Sequence, residues 1–298
     1  MKYLLTGASG YLGSRLLEAL TADGHQIVIL KRTAFNSARI AQYLETIDCY
    51  GIDSGDLDIC FMRHAPFDAV IHAATCYGRG GEGASAMMEA NLLFPLRVLE
   101  RAGKGGADLF INADTSLPRG LNAYALSKKQ FVEWGRRFAE EGKLQWVDMI
   151  LEHFYGPGDD DSKLITWLVR SCLANVPELP LTQGEQRRDF IHIDDVVRAF
   201  LAVLSARCSE RSVEYSIGSG HGVKVREVAE MIRGLCESPT QLSFGIVPYR
   251  HNEVMESYAD TRAIEGLGWK SRISLEQGLR QTIDAERVMK SDTEVKRG

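Results

Sequence analysis

The chain has 298 residues, of which 45% are hydrophobic and 25% charged, a composition typical of an ordinary α/β protein with one large or two interlocked domains. A formal net charge of -5 gives no electrostatic reason to expect nucleic-acid binding. Six dispersed cysteines without a CxxC pair, and no signal peptide or long apolar run, predict reduced thiols, a cytoplasmic location, no bound metal and no membrane association.

The first twenty residues have the pattern of a strand, a turn and a helix. A short apolar run at residues 3–5 predicts a buried parallel strand, and three glycines follow it into a segment with helical apolar spacing. Gly7 allows a tight turn, Gly10 lets the backbone approach a pyrophosphate, and Gly13 lets the helix pack closely on the strand. The positive end of that helix favours an anion, so the segment predicts dinucleotide binding.

The end of the second predicted strand indicates which dinucleotide is bound. Residues 27–30 run directly into Lys31 and Arg32, where a protein selective for NAD usually has an acidic residue for the ribose. Arg32 suits a 2′-phosphate because its guanidinium is a planar fork, and Lys31 or Arg39 adds charge. The basic pair therefore favours NADP(H) over NAD(H), although surface solubility is an alternative reason for it.

Two further strands are predicted at residues 48–53 and 69–71. Asp53, which ends the first, is placed to reach the adenine. The second runs into His72 and then residues 73–75, whose small side chains leave room for a cofactor at the carboxyl end of a parallel strand. We expect His72 to be a structural, hydrogen-bonded histidine rather than an acid or base.

The chemistry is predicted to lie after the next strand, residues 108–112. Thr115 and Ser116 follow it, and Tyr124 and Lys128 then lie one turn apart on one face of an amphipathic helix. A phenol with a pKa near 10 is a poor proton donor at neutral pH, and a neighbouring cation lowers that pKa. The YxxxK spacing alone is common by chance, but its place downstream of the glycine turn favours a catalytic pair.

These motifs resemble the extended short-chain dehydrogenase/reductase family of nucleotide-sugar epimerases, dehydratases and reductases. The matching segments cover nearly the whole chain and are T-G-A-S-G-Y-L-G from Thr6, H-A-A from His72, the helix with Asn91, Thr115 with Tyr124 and Lys128, Y-G-P-G from Tyr155, R-D-F-I-H-I-D-D-V from Arg188, and L-G-W from Leu267. The resemblance implies an α/β fold: a doubly wound parallel (Rossmann) sheet with a smaller C-terminal α/β substrate lobe.

The resemblance also implies roles for individual residues. Tyr124 is the catalytic acid/base, Lys128 binds the nicotinamide ribose and tunes the tyrosine, and Thr115 hydrogen-bonds the reacting oxygen. The expected cofactor contacts are Gly7, Ser9, Gly10, Tyr11, Leu12, Gly13, Lys31, Arg32, Asp53, Ala73, Ala74, Asn91, Tyr124, Lys128 and His153. The expected substrate contacts are Thr75, Tyr77, Thr115, Ser116, Arg187 and Arg250.

Within that family, four segments resemble the CDP-abequose and CDP-paratose synthases, which are sugar-nucleotide 4-ketoreductases. They are N-A-D-T-S from Asn112, L-E-H-F-Y-G-P-G-D from Leu151, G-E-Q-R-R-D-F from Gly184 and H-N-E-V-M from His251. The likeness implies NADPH-dependent reduction of the 4-keto group of a nucleotide-activated 6-deoxy or 3,6-dideoxy hexose, with a CDP-linked sugar favoured. An NAD-dependent nucleotide-sugar epimerase and a catalytically silent NADP sensor are the alternatives. Glu152 and His153 replace the Arg and Asn common in the family, so their roles stay open.

Two domains are expected. Residues 1–155 form the NADP-binding domain, to which a later strand and helix, roughly residues 189–218, return, and residues 156–298 form mainly the substrate-binding lobe. Arg187 and Arg250 are expected on the sugar-nucleotide pyrophosphate because that group favours bidentate cationic partners, whereas Arg188 is expected to pair inside the protein. Helices beginning at Glu89 and Tyr124 are expected to form a homodimer interface. The mixed-charge tail, residues 290–298, is expected to be frayed.

Overall fold

The computed structural model describes residues 1–32, 36–52, 55–206 and 210–295. The chain divides into two compact units. The first contains Met1–Leu151 and Phe200–Ser216, and the second contains Glu152–Ala199 and Ile217–Gly298.

The secondary structure alternates between strands and helices through most of the chain. The strands are β1 (Lys2–Thr6), β2 (Gln26–Lys31), β3 (Asp48–Gly51), β4 (Ala69–His72), β5 (Leu109–Thr115), β6 (Gln145–Leu151), β7 (His153–Tyr155), β8 (Glu178–Leu181), β9 (Arg187–His192), β10 (Ser212–Ile217), β11 (Gly222–Lys224), β12 (Gln241–Phe244) and β13 (Glu256–Ser257). The α-helices are α1 (Tyr11–Ala22), α2 (Leu57–His64), α3 (Ala84–Met88), α4 (Phe94–Lys104), α5 (Ala123–Glu140), α6 (Leu164–Leu173), α7 (Ile193–Ser205), α8 (Val225–Leu235), α9 (Arg262–Glu265) and α10 (Leu275–Val295). A 3₁₀ turn spans Ala41–Tyr43, and a π-helical turn, Glu89–Leu93, joins α3 to α4.

The first unit contains a seven-stranded sheet in the order β10-β6-β5-β4-β1-β2-β3. Strands β1 to β6 pair in parallel throughout. Strands β1, β2, β4 and β5 consist largely of buried apolar residues, as expected where helices cover both faces of a parallel sheet. The order reverses between β1 and β4, which is the kind of position where ligands bind in doubly wound folds. The predicted Rossmann-type α/β fold is confirmed.

Helix α5 is packed on β5 and β6 through aromatic side chains. Phe110 and Trp146 stack with ring centroids 5.4 Å apart, and Phe131 of the helix meets the edge of Trp146 at the same distance. A Cβ on Gly135 would lie 2.3 Å from the Trp146 ring, so only glycine fits there. This packing fixes the height of α5 above the sheet, and with it the position of the residues in its first two turns.

The second unit contains two smaller sheets and helices of its own. Strand β9 pairs with β7 and β13 in parallel and with β11 in antiparallel orientation, while β8 and β12 form a separate parallel pair. Helices α6, α8 and α10 contribute a core that includes Leu168, Ile232, Leu279 and Ile283. Asp195, at the start of α7, accepts hydrogen bonds from the backbone amides of residues 272 and 273, so it does more than cap its own helix.

The structure bears on two expectations about the second half of the chain. The segment that returns to the first unit is Phe200–Ser216, which lies within the expected range of roughly 189–218 and contributes most of β10 to the seven-stranded sheet, whereas β9 lies in the second unit. The expected frayed tail is helical through Val295, because buried Leu279 and Ile283 anchor α10. Within the part of the chain that the structure describes, no helix is long and apolar enough to cross a membrane.

Candidate active site

The glycine turn after β1 has the geometry that its sequence predicts. Gly7 has φ +74°, and a Cβ there would lie 2.5 Å from the amide nitrogen of Ala74. A Cβ on Gly13 would lie 2.0 Å from the carbonyl oxygen of Gly7, so helix α1 reaches β1 only with glycine at that position. The Cβ of an alanine at Gly10 would meet only that same oxygen, at 3.2 Å. Gly7 and Gly13 are therefore required by the fold, whereas Gly10 leaves space on an exposed surface.

The amino end of α1 is suited to an anion. Its cap residue Gly10 has no side chain to occupy the first amides, and the first turn has no acidic residue. The free N–H groups and the positive end of the helix dipole therefore face outward beside the glycine turn. These residues fit the pyrophosphate of a dinucleotide. Ser9, Tyr11 and Leu12, the other contacts expected here, lie in the same turn and the first helical residues.

The carboxyl end of β2 carries the predicted basic residues. Lys31 is the last residue of the strand and Arg32 is exposed directly after it. The guanidinium of Arg39 lies 5.8 Å from the ring centroid of Tyr11, which brings a third basic side chain to the start of α1. Asp53, predicted to reach the adenine, lies outside the described residues. The preference for NADP(H) stays a prediction.

His72, at the end of β4, is structural as expected. It is fully buried, and its Nδ1 lies 2.7 Å from the Thr6 hydroxyl on the neighbouring strand. Burial holds the pKa of His72 well below its usual range, and the nearby charge of Lys128 lowers it further. The imidazole is therefore neutral. Ala73 and Ala74 follow it, and both donate backbone hydrogen bonds to Thr6 as the chain passes Gly7.

Tyr124 lies in the first turn of α5, directly after the helix cap. The side chain of Asn122 caps the helix by accepting from the amide of Ala125 at 2.8 Å. The Tyr124 hydroxyl interacts by hydrogen bonding with the hydroxyls of Thr115, at the end of β5, and Thr75, after β4. The structure thus brings three predicted site residues from three separate segments to one phenol oxygen.

The ionisation of Tyr124 differs from the expectation. Burial raises the pKa of this phenol above its usual range, Tyr77 and Asp114 raise it further, and the two threonine hydroxyls only partly oppose the rise. The sequence predicts the opposite direction, through the charge of Lys128, and that prediction was wrong for the protein alone. Desolvation is the dominant effect on this phenol, although the side chain as a whole is only partly buried. The phenol is therefore protonated at neutral pH, the form that can donate a proton.

Lys128 lies one turn further along α5 and is 1% exposed. Burial lowers the pKa of its ammonium, while Asp114 and Asp148 favour the charged form and Lys129 opposes it. Asp114 itself forms an ion pair with Lys129, whose ammonium also donates to the Thr115 carbonyl at 2.7 Å. The lysine thus lies in a buried set of charges that includes two carboxylates from β5 and β6.

Asn91, in the π-helical turn, connects the loop after β4 to α5. Its amide nitrogen donates to the Cys76 carbonyl at 2.8 Å and to the Ser127 hydroxyl at 3.1 Å, and its oxygen accepts from the Cys76 amide at 2.7 Å and from Thr75 at 3.3 Å. Ser127 in turn donates to the Tyr124 carbonyl at 2.8 Å. Since protein groups use the whole hydrogen-bonding capacity of this amide, Asn91 positions Thr75 and Tyr124. A direct cofactor contact by Asn91 stays a prediction.

Tyr77, in the loop after β4, covers Tyr124. Their ring centroids lie 5.1 Å apart at 37°, and the Arg79 guanidinium lies 4.9 Å from the Tyr77 ring. Tyr77 is 38% exposed, so one side of it is open to a ligand. Ser116, the other hydroxyl after β5, is partly buried, and its amide donates to the Leu151 carbonyl at 3.1 Å.

The second unit holds the remaining predicted residues. His153 lies on β7 with its Nδ1 3.5 Å from a carboxylate oxygen of Glu152, which also accepts from the Ser257 hydroxyl at 2.9 Å. A carboxylate bound by the Ser257 hydroxyl therefore occupies the position where the resembled family commonly has an arginine.

The three arginines of the second unit for which the sequence predicts a partner differ in their environments. Arg188 pairs with Glu253 at 2.5 Å, which confirms the expected internal pair. Arg187 donates to the Gly222 carbonyl at 3.0 Å. Arg250 is exposed, and among the described residues it makes no ion pair. Arg250 is thus the one of the three whose guanidinium remains open to a ligand.

Several residues that shape this site are not predicted from the sequence. Asn122 and Ser127 could have been found from common sequence patterns: Asn122 is a typical helix-cap residue, and Ser127 is a hydroxyl residue three positions after Tyr124. Asn112 and Asp148 carry a weaker one, a polar residue within an apolar strand. They pair across β5 and β6, with the amide of Asn112 donating to Asp148 at 2.7 Å.

The chain is similar to known nucleotide-sugar enzymes over almost its whole length. Residues 3–218 match the model of the NAD dependent epimerase/dehydratase family. A CDP-abequose synthase of Salmonella muenchen is 31% identical over 289 residues, covering 95% of this chain and 97% of that relative. A UDP-glucose 4-epimerase of Mycolicibacterium smegmatis is 24% identical over 318 residues, covering 95% and 98%. The solved UDP-glucose 4-epimerase of Thermus thermophilus in complex with NAD shares the fold, with a TM-score of 0.84, 22% identity, and coverage of 96% of this chain and 99% of that one.

Proposed function

Because this chain belongs to the NAD dependent epimerase/dehydratase family, we propose that it is an NADPH-dependent ketoreductase acting on nucleotide-activated sugars. The proposed reaction reduces the 4-keto group of a 6-deoxy or 3,6-dideoxy hexose, with a CDP-linked sugar as the favoured substrate. The observation that carries this proposal is the protonated Tyr124 held against Thr115 and Thr75. The CDP preference is supported by the 31% identity to a CDP-abequose synthase.

The cofactor is proposed to bind along the carboxyl ends of the strands of the first unit. Gly7, Gly10 and the amino end of α1 would hold its pyrophosphate, and Lys31 and Arg32 its 2′-phosphate. NADPH, when bound, supplies the hydride for the reduction. Lys128 is proposed to donate to the nicotinamide ribose.

The proton is proposed to come from Tyr124. As the sugar carbonyl becomes an alkoxide, its oxygen needs a proton and a stabilising donor at the same time. The Tyr124 hydroxyl gives the first, and Thr115, buried beside it at the end of β5, gives the second. Replacing Thr115 with Val should reduce turnover less than replacing Tyr124 with Phe, because one hydrogen bond is lost while the proton donor remains.

The second unit is proposed to bind the sugar nucleotide. Arg250 is exposed and free of ion pairs among the described residues, so its guanidinium is suited to a pyrophosphate. Arg187 is proposed as a second contact, although it already donates to a backbone carbonyl. A cytoplasmic homodimer is proposed as the working form, because Leu93, Leu126 and Trp134 on the π-helical turn and α5 are 39–46% exposed.

The test is a screen of the purified protein with NADPH against CDP-, dTDP- and GDP-linked 4-keto sugars. Loss of reduced-nicotinamide absorbance and the reduced sugar in the products are the expected result with a CDP-linked substrate. Tyr124→Phe should lower this activity by about 10²–10⁴-fold while cofactor binding changes little. Tyr50→Phe is the matched control, because it removes a phenol hydroxyl on the edge strand β3 that hydrogen-bonds with His64, 2.8 Å away. Wild-type turnover by Tyr124→Phe with an intact fold would contradict the mechanism.

An NAD-dependent epimerase is the second candidate, favoured by the similarity to a UDP-glucose 4-epimerase over 95% of this chain. An epimerase returns the hydride to its sugar, so it interconverts two sugars without net consumption of reduced cofactor. Sugar interconversion with catalytic NAD and no NADPH oxidation would replace the ketoreductase proposal. A silent NADP sensor would show neither reaction, and the presence of Thr115, Tyr124 and Lys128 together argues against it.

A further inference from the structure

A row of polar residues crosses the otherwise apolar sheet of the first unit at one level. Thr6 of β1 pairs in register with His72 of β4, His72 with Asn112 of β5, and Asn112 with Asp148 of β6. All four side chains are buried, at 0–1% exposure. Thr6 bonds His72, and Asn112 bonds Asp148, at 2.7 Å in each case. Such a row is unusual, because strands buried on both faces are normally apolar throughout.

The row lies on the face of the sheet that α5 covers. The next level towards the amino ends of β5 and β6 is Phe110 beside Trp146, and these two rings contact Phe131. Lys128 is one turn nearer the start of α5 than Phe131, and its charge acts on both His72 and Asp148. The ammonium of Lys128 therefore lies over the polar row.

Two carboxylates, Asp114 and Asp148, lie near Lys128 and Lys129, and they differ in their partners. Asp114 on β5 forms an ion pair with Lys129, which is itself only partly buried. Asp148 accepts from the neutral Asn112 amide and, in the part of the chain described, forms no ion pair. Lys128 is 1% exposed, and an ammonium cannot remain charged in such a place without a counter-charge. Asp114 has the larger effect on the pKa of Lys128, but it is already paired with Lys129, so Asp148 is the carboxylate not committed to another cation.

We propose that Asp148 is a positioning residue for the active site: held by Asn112, it provides the counter-charge that keeps Lys128 protonated and in place beneath the catalytic tyrosine. The functional part of this inference, that Lys128 then binds the cofactor, rests on the proposed function. The electrostatic part concerns this chain's own residues alone.

The counter-charge that Asp148 provides for Lys128 should vary with pH, because Asp148 itself gains and loses a proton. Burial raises the pKa of Asp148 to about 7, Asp114 adds to the rise, and Asn112, Lys129 and Lys128 oppose it. The other ionisable groups facing the row are the neutral His72 on β4 and the protonated Tyr124 on α5. As Asp148 loses its proton near neutral pH, the counter-charge under Lys128 forms, and the ammonium is held more firmly.

The experiment measures the titration of Lys128 in the protein without any ligand. Protein labelled with ¹³C at the lysine ε-carbon is titrated by NMR, and the Lys128 resonance is assigned by its loss in Lys128→Met. Asp148→Asn keeps an oxygen for the Asn112 amide but removes the charge, so the midpoint of Lys128 should move down by about one pH unit. Asp148→Glu should restore most of the shift. The matched control is Asp68→Asn, which removes a carboxylate that accepts from the Lys2 amide, 2.6 Å away at the amino ends of β1 and β4.

A purely structural role for Asp148 would lower stability without moving that midpoint, and an unchanged midpoint in a folded Asp148→Asn would overturn the proposal. If neither substitution folds, the wild type still decides, because the Lys128 resonance must then show a second inflection where Asp148 ionises, and its absence overturns the proposal. NADPH titrations at pH 6 and pH 9 separate this inference from the function. A moved midpoint in a protein that binds neither NADPH nor NADH supports the electrostatic role of Asp148 and refutes the proposed function.

Discussion

Replacing Asp148 with Asn should change how the stability of the protein depends on pH. An unfolded aspartate has a pKa of about 3.9, and in the folded chain that of Asp148 is about 7. A carboxyl whose pKa is raised by folding contributes stability that is complete below the unfolded value and is lost as pH rises through the folded value. The full loss is about 4 kcal/mol, of which about 2.5 kcal/mol falls between pH 5 and pH 8.

An asparagine at this position does not titrate, so the variant escapes this loss. The free energy of unfolding of Asp148→Asn minus that of the wild type should therefore rise by about 2.5 kcal/mol from pH 5 to pH 8, measured by urea unfolding at both values. The titrations of groups that do not interact with Asp148 cancel in the difference. Asp68→Asn, which removes a partly exposed carboxylate outside the polar row, is the control for the loss of one charge. A difference for Asp148→Asn that stays flat within about 0.5 kcal/mol would refute the raised pKa and the buried ionisation on which it depends.

Four further predictions concern the cofactor, the lysine, assembly and the glycine turn. Arg32→Ala should cost about 1.5–3 kcal/mol of the preference for NADPH over NADH in binding titrations, and equal wild-type affinities would contradict the assignment. Lys128→Met should weaken NADPH binding as well as turnover, and normal binding would remove its ribose role. Trp134→Glu on exposed α5 should convert a sedimenting dimer to monomer, whereas a monomeric wild type would contradict the interface. Gly13→Ala should lose about 1–3 kcal/mol of stability because its Cβ meets the Gly7 carbonyl, whereas Gly10→Ala should mainly weaken NADPH binding. Equal losses of stability in the two variants would contradict the assignment of Gly13 to packing and Gly10 to cofactor binding.

The first unit could be predicted because its signals are local. The strand, glycine turn and helix around Gly7 lie within twenty residues, and each glycine has a separate steric reason that the sequence spacing already contains. The pairing of Thr115 with Tyr124 could be predicted for the same reason, since the two ends of one strand-to-helix connection must lie close together. The hydrogen bond of Tyr124 to Thr75 could be expected only from the order of strands, because β4 and β5 are neighbours in the sheet.

The sheet that β9 joins is not specified by its own sequence. Its sequence is that of a buried strand, and burial does not specify which of two sheets a strand joins. The long-range pairing of β9 with β7 and β11 decides this, and no local pattern encodes it. The helical conformation of the tail also depends on long-range contacts, because α10 is held by side chains that pack on α6 and α8 rather than by its own composition.

Strand β6 was missed because Asp148 interrupts its apolar run. The ionisation of the site was predicted with the wrong sign because the sequence suggests one cation acting on one phenol and does not show how far burial desolvates that phenol. In the structure, Asp114 pairs with Lys129, and desolvation is the dominant influence on the pKa of Tyr124. A protonated phenol suits a reaction that begins by giving a proton to a carbonyl oxygen. An epimerase must begin by removing a proton from a sugar hydroxyl, and this site would first have to overcome the raised pKa of Tyr124. The raised pKa of Tyr124 therefore supports the proposal of a ketoreductase, which the screen with NADPH tests.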